Sequence, residues 1–179
     1  HKKHALESLL LPLRKKYKVK IYGPNWTLKD KTYRLAGLMA RKAKMTNLNQ
    51  WIQGLRITVP VEEERDFYAS AKICLNIHER DEATKNHVIL NERTFKIPAC
   101  GGFEICDYVP PLRNYFAEEE MVMADDRRGD WVKDWFEKID YYMSHESERK
   151  KIQEAGTLKA LRDHTYLNRV KEFFSLLGL

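Results

Sequence analysis

The stretch from Ala71 to Gly102 constrains the fold more than any other part of the chain. Ala71, Ile73, Leu75 and Ile77 alternate with Lys72, Cys74, Asn76 and His78, the period of two that puts successive side chains on opposite faces of a strand. A polar loop, Glu79 to Asn86, follows. Asn91 can then cap a short helix, because its side-chain oxygen can accept from the free N–H groups of the first turn. Pro98 removes one helical hydrogen bond, so this helix is expected to be short or bent. Gly101-Gly102 stops it, and Phe103 to Cys106 returns as a strand.

The rest of the chain fits the same alternation. Val61 to Ser70 has the charged composition of a connecting helix, and Met121 to Ala124 reads as a further strand. Three helices are expected near the end. Asp130 is read as capping Trp131 to Met143, with Trp131, Trp135 and Ile139 on one stripe. Glu146 to Arg162 is expected to turn Ile152, Ala155, Leu158 and Leu161 inward. Tyr166 to Leu177 is expected to bury Val170, Phe173, Phe174 and Leu177. Near the start, Leu6 to Tyr17 reads as a basic amphipathic helix interrupted by Pro12. Val19 to Tyr22 reads as a short strand, ended by the turn chemistry of Gly23-Pro24-Asn25. Tyr33 to Ala43 reads as helical. Strand and helix alternating through the middle of the chain predict an α/β fold, a Rossmann-like parallel sheet flanked by helices.

Composition narrows the function classes. At 179 residues the chain suits one well-buried domain, or at most one domain plus a small appendage. No apolar run approaches the roughly 20 residues that span a bilayer, and the basic, Pro12-containing start does not read as a signal peptide. Cys74, Cys100 and Cys106 form no CxxC pair, which argues against a disulfide framework or a zinc site and for a reducing, cytoplasmic compartment. The six histidines make no HxxxH or HExxH pair, so no metal site is expected. A net charge of +6 suits a solvated basic surface, and also phosphorylated ligands, nucleic acid or anionic lipid.

In an open parallel sheet, ligands lie beyond the carboxyl ends of the strands. Gly23 to Trp26, Asn76 with His78, and the start of the Asn91 helix all fall there. Helix N–H groups suit a phosphate, and Arg93 and Lys96 add charge to that site. There is no GxGxxG and no GxxxxGK[ST]. Each residue also has a plainer reading. His78 and Asn76 serve equally as satisfied strand-end groups, and Asn91 and Thr94 as caps. Gly101 and Gly102 meet a backbone requirement, and Trp26 can pack in the core as well as stack a base. Asp125-Asp126 is a turn rather than a metal pair.

The run Tyr68 through His78, followed by Asn91-Glu92-Arg93-Thr94-Phe95-Lys96-Ile97-Pro98-Ala99-Cys100-Gly101-Gly102-Phe103, resembles the spore-maturation CgeB-like group of GT-B glycosyltransferases. Gly23-Pro24-Asn25-Trp26 and His164-Thr165-Tyr166 fit the same pattern, and the resemblance spans roughly residues 17 to 175. It implies that residues 1–179 are a single nucleotide-sugar-binding domain, the C-terminal half of a GT-B architecture, with residues 1–16 as a connecting segment. It implies a nucleotide-sugar donor and no cofactor, because basic groups and helix N-termini stabilise the departing diphosphate. The acceptor and the general base are expected from an N-terminal domain, missing or separate, for which the non-Met start speaks. No catalytic residue is named within this chain. The donor-binding residues so implied are Gly23, Trp26, Asn76, His78, Asn91, Arg93, Thr94, Phe95, Lys96, Gly101 and Gly102. One departure stands out. The family usually has an acidic residue where Lys96 stands, expected on the ribose hydroxyls, and a cation cannot accept those hydrogen bonds. Glu92 and Glu104 are the nearby carboxylates. The rival readings are a non-catalytic nucleotide-binding or interaction module of the same fold, which Lys96 favours, and a nucleic-acid-associated protein. Dispersed basic residues and the lack of a nucleic-acid motif argue against the last.

Overall fold

The computed structural model describes residues 2–22, 28–56, 59–78, 90–125, 127 and 130–178. The turn from Gly23 to Trp26, the loop Glu79 to Asn86 and Asp126 lie outside the described residues. The chain forms two compact units, His1–Glu63 and Glu64–Leu179.

The first unit is helical. Within residues 1–16, expected as a connecting segment, residues 2–16 form α1 (Lys2–Ala5), a π-helical stretch (Leu6–Leu10) and α2 (Leu11–Lys16) without a break. Pro12 therefore does not interrupt the helix as expected. The wider π turn, in which Leu11 N–H reaches Leu6 O, absorbs the backbone irregularity just before the proline. Val19 to Tyr22 forms no strand. Its side chains still alternate between half-buried and exposed, but no strand among the described residues pairs with it. Two further helices, α3 (Leu28–Lys42) and α4 (Thr46–Gly54), pack together as a hairpin. Lys44 ends α3 in the left-handed region at φ 55°, where Met45 N–H returns to Ala40 O in a helix-stop geometry. Asp30 is buried and takes a two-pronged ion pair from Arg56 at 2.8 and 3.2 Å.

The second unit carries the sheet. After a 3₁₀ turn (Val61–Glu63) come α5 (Glu64–Ser70), β1 (Cys74–Asn76), α6 (Arg93–Ala99), β2 (Glu104–Asp107), a second 3₁₀ turn (Pro110–Asn114) and β3 (Val122–Ala124). The strands are parallel in the order β1-β2-β3, with Asn76 opposite Cys106 and Asp107 opposite Ala124. Helices α7 (Lys133–Ser144), α8 (Glu146–Asp163) and α9 (Tyr166–Leu176) complete the unit. This is the Rossmann-like α/β arrangement expected, a parallel sheet flanked by helices. β2 and β3 are buried along their whole length, as parallel strands covered on both faces must be. Cys106, Val109, Leu112, Phe116, Met121, Met123 and Ala160 form one continuous apolar cluster.

Three details of the helices differ from expectation. Asp130 does not cap a helix with its side chain. Residues 131–132 form a turn, α7 starts at Lys133, and Asp134 accepts from the backbone N–H of Asp125 at 2.6 Å instead. The inward face of α8 is Arg149, Ile152, Gly156 and Ala160, while Leu158 and Leu161 are exposed. Close backbone approach decides this: a Cβ on Gly156 would collide with the carbonyl oxygen of Glu120 and also touch Pro98, so that face needs small residues. In α9, Val170, Phe173, Phe174 and Leu177 are exposed rather than buried, because nothing among the described residues packs over them.

Candidate functional site

The period of two puts Asn76 and His78 on the same side of the chain leaving β1, and both are fully buried. Each becomes the centre of a hydrogen-bond chain to the start of α6. Asn76 and Asn91 exchange their amides reciprocally, at 3.1 and 2.9 Å. Asn91 also accepts from the Thr94 N–H at 3.3 Å, so it caps α6 as expected. The Asn76 amide nitrogen donates in addition to Glu104 Oε1 at 2.8 Å, and its oxygen accepts from Arg93 Nε at 3.1 Å. Arg93 donates through Nη2 to the carbonyl of Ile77 at 3.3 Å. Two donors of the guanidinium are thus tied to the strand end, while the side chain as a whole stays exposed.

The second chain runs Asp107–His78–Thr94, all three buried. Asp107 accepts from the His78 backbone N–H and faces its Nδ1 at 2.5 Å; His78 Nε2 lies 2.8 Å from Thr94 Oγ1. With the carboxylate on Nδ1, a neutral ring carries its proton there and accepts the Thr94 hydroxyl at Nε2. Asn76 Nδ2 reaches Thr94 Oγ1 at 3.3 Å and joins the two chains. A carboxylate, an imidazole and a hydroxyl in line can relay a proton, but here all are sealed from solvent. What the arrangement does is lock β1, β2 and the start of α6 in one register and hold Arg93 outward. Networks of this kind are stabilising only when fully bonded.

Glu104 is the exception. Its Oε2 is buried and has no hydrogen-bond partner among the described residues. Burial pushes its carboxyl up to about 8, against the opposing pull of the Asn76 hydrogen bond and Arg93. It is therefore mostly protonated at neutral pH, and it is not available to a ribose.

Lys96, three residues beyond Arg93 along α6, has different partners. Its ammonium lies 3.0 Å from Glu64 Oε2 and 2.9 Å from Glu92 Oε1. The hydrogen bond to Glu92, then that to Glu64, holds it well above the usual lysine range. Its charge is thus matched by two carboxylates, one of them on α5.

Phe95, Gly101 and Gly102, also expected at the site, make packing and backbone contacts within the unit. Phe95 points into an aromatic cluster with Tyr115, Phe116 and His164, at ring separations of 5.5, 5.8 and 5.3 Å. Gly101 sits at φ +77° and its carbonyl accepts from Gln153 of α8 at 2.6 Å. A Cβ on Gly102 would lie 2.8 Å from Ile97 Cγ2 and 3.3 Å from Tyr68 Cβ. Gly23 and Trp26 lie outside the described residues. Sequence reasoning missed Asp107 and Glu64. A polar residue closing the β2 run was a usable signal for the first; nothing in the sequence links Glu64 to Lys96 across 32 positions. Among the described residues, no group of three or more His, Cys, Asp or Glu could hold a metal ion, and no helix is long and apolar enough to cross a membrane.

The sequence profile of the glycosyl transferase-like family matches residues 2–175. The chain belongs to that family. No curated protein and no solved structure matches it. In this chain the network of Asn76, His78, Asn91, Thr94 and Asp107 joins the carboxyl ends of β1 and β2 to the start of α6, with Glu104 bonded to it from the first position of β2 and the exposed Arg93 held against it.

Proposed function

We propose that this chain binds the nucleotide-sugar donor of a glycosyltransferase, as the C-terminal half of a GT-B enzyme of the CgeB-like kind. The observation that carries the reading is Arg93. Its guanidinium is pinned by Asn76 Oδ1 and the Ile77 carbonyl at the carboxyl end of β1 while its side chain remains exposed. That is where open parallel sheets take ligands, and a pre-oriented guanidinium suits a diphosphate. During transfer the bond from the sugar's anomeric carbon to the diphosphate oxygen breaks, and the diphosphate leaves with the electron pair. Arg93 stabilises the charge that develops on it. The acceptor oxygen forms the new bond and gives its proton to a base from an N-terminal domain. In this reading both units of the chain belong to the donor half, and Asn76, His78, Asn91 and Thr94 position Arg93 without touching the donor. The free state of Cys74, Cys100 and Cys106 suits a reducing, cytoplasmic setting.

The test is calorimetric titration of the folded chain with a panel of nucleoside diphosphates and nucleotide sugars. Binding that weakens at least about tenfold in Arg93→Ala, the loss of one charge-assisted contact, supports the reading. No binding at millimolar concentration sinks it. A second reading, a non-catalytic module of the same fold, is favoured by Lys96 with its two carboxylates. Under the donor-binding reading, Lys96→Gln frees Glu64 and Glu92 to accept ribose hydroxyls and tightens nucleotide binding. An unchanged or weaker affinity favours the non-catalytic module.

A further inference from the structure

Charge is distributed very unevenly between the two units. Residues 1–63 contain 14 Lys and Arg against 4 Asp and Glu, a net charge of +10, whereas the whole chain carries +6. Residues 64–179 therefore carry −4. One of the four acidic groups of the first unit, Asp30, is buried and already paired with Arg56. A charge asymmetry of this size marks a surface for a polyanion.

The α3–α4 hairpin adds a second, independent feature. Leu28, Leu35 and Met39 are 79%, 61% and 64% exposed. Their spacing of seven and four residues lines them along one side of α3, roughly opposite the buried Asp30, Gly37 and Ala40. The helix thus turns a row of large apolar side chains toward solvent. Lys31 and Lys42, both exposed, flank that stripe. On α4, Trp51 is 64% exposed, and Leu48 and Leu55 lie beside it at helical spacing.

We propose that the α3–α4 hairpin is a docking surface for an anionic lipid membrane, on which it lies without crossing. Apolar side chains flanked by lysines and joined by a tryptophan match the chemistry of the interface, where acyl chains accept the first, headgroup phosphates the second and the boundary region the third. The competing occupants fit less well. Nucleic acid would take the charge but gain nothing from exposed Leu28, Leu35 and Met39. A second copy of the unit would bring +10 against +10. The proposal does not depend on donor binding, and nucleotide titration and vesicle binding report on the two separately.

The experiment is co-sedimentation of the full chain with vesicles of phosphatidylcholine alone, or of phosphatidylcholine with roughly one-third phosphatidylglycerol. The expected result is binding to the anionic vesicles only, weakened by salt. Lys31→Glu with Lys42→Glu weakens it by at least about 25-fold, at about fivefold per basic charge. Leu35→Ser with Met39→Ser weakens it at least about tenfold. Brominated lipid quenches tryptophan emission in the parent chain, and Trp51→Phe removes most of that quenching. All these side chains are exposed, so unchanged circular dichroism certifies each variant. Absence of binding to anionic vesicles overturns the proposal, as does binding that Leu35→Ser with Met39→Ser leaves intact. Salt-sensitive binding to duplex DNA without vesicle binding overturns it in favour of nucleic acid.

Discussion

Replacing Glu104 with Gln tests the physics of the site directly. Glu104 Oε2 is sealed from water without a partner among the described residues, and burial moves its carboxyl from 4.5 to about 8. A carboxyl raised on folding binds its proton more tightly in the native state than in the unfolded one. Stability from this group is therefore highest below pH 4.5, declines as pH rises toward 8, and stays low above it. At about 1.36 kcal/mol per pH unit, the interval from 4.5 to about 8 corresponds to about 5 kcal/mol, an upper figure that local rearrangement and water entry reduce to about 3. Glu104→Gln has the shape of the protonated form and keeps an oxygen for Asn76, but it cannot ionise. Denaturant unfolding of both proteins from pH 5 to pH 9 should give nearly equal stabilities at pH 5. The variant should then gain on the parent by about 3–5 kcal/mol at pH 9. A difference that stays constant across that range refutes the reasoning, because it would mean Glu104 is ionised in the folded protein throughout.

Three further outcomes follow from the same geometry. Thr94→Val removes the hydroxyl shared by His78 and Asn76 and should lower stability by about 1–3 kcal/mol. Thr94→Ser should restore most of it, and equal midpoints for all three proteins would show that the relay is not formed. Gly102→Ala forces a methyl group against Ile97 and Tyr68, for about 1–3 kcal/mol. Gly101→Ala meets open space but sits at φ +77°, for about 1–2 kcal/mol. Thermal or denaturant melts should find both variants weakened, and a neutral Gly102→Ala would contradict the packing. The thiols should divide in labelling with an aromatic disulfide reagent at pH 8. Cys74 is buried and pushed up to about 12, and burial likewise raises Cys106 well above the usual thiol range. Half-buried Cys100 should react first, with the others reacting only on unfolding; three fast thiols would contradict the burial.

Much of this could be read from residue order alone, because it depends on local rules. Alternation through Ala71 to His78 predicts a strand whatever lies beside it, although the ladder itself is only Cys74–Asn76. Asn91 caps, Pro98 shortens and Gly101 stops α6 through their own backbone and side-chain chemistry. The same local logic brought Asn76, His78, Arg93 and Lys96 forward as candidates, while Thr94 came with the family resemblance. Features that depend on a distant partner were not legible in this way. Val19 to Tyr22 alternates correctly for a strand, but no strand among the described residues pairs with it. The inward face of α8 follows the close approach of Glu120 and Pro98 to Gly156, not the positions of its leucines. Parallel register sets Asp107 beside His78, and folding brings Glu64 to Lys96, so the burial of one group and the neutralised charge of the other are tertiary facts. Periodicity, capping and turns act within a few residues and are written in the chain. Which carboxylate faces which cation, and which of them loses its water, is decided only when elements far apart in sequence pack together.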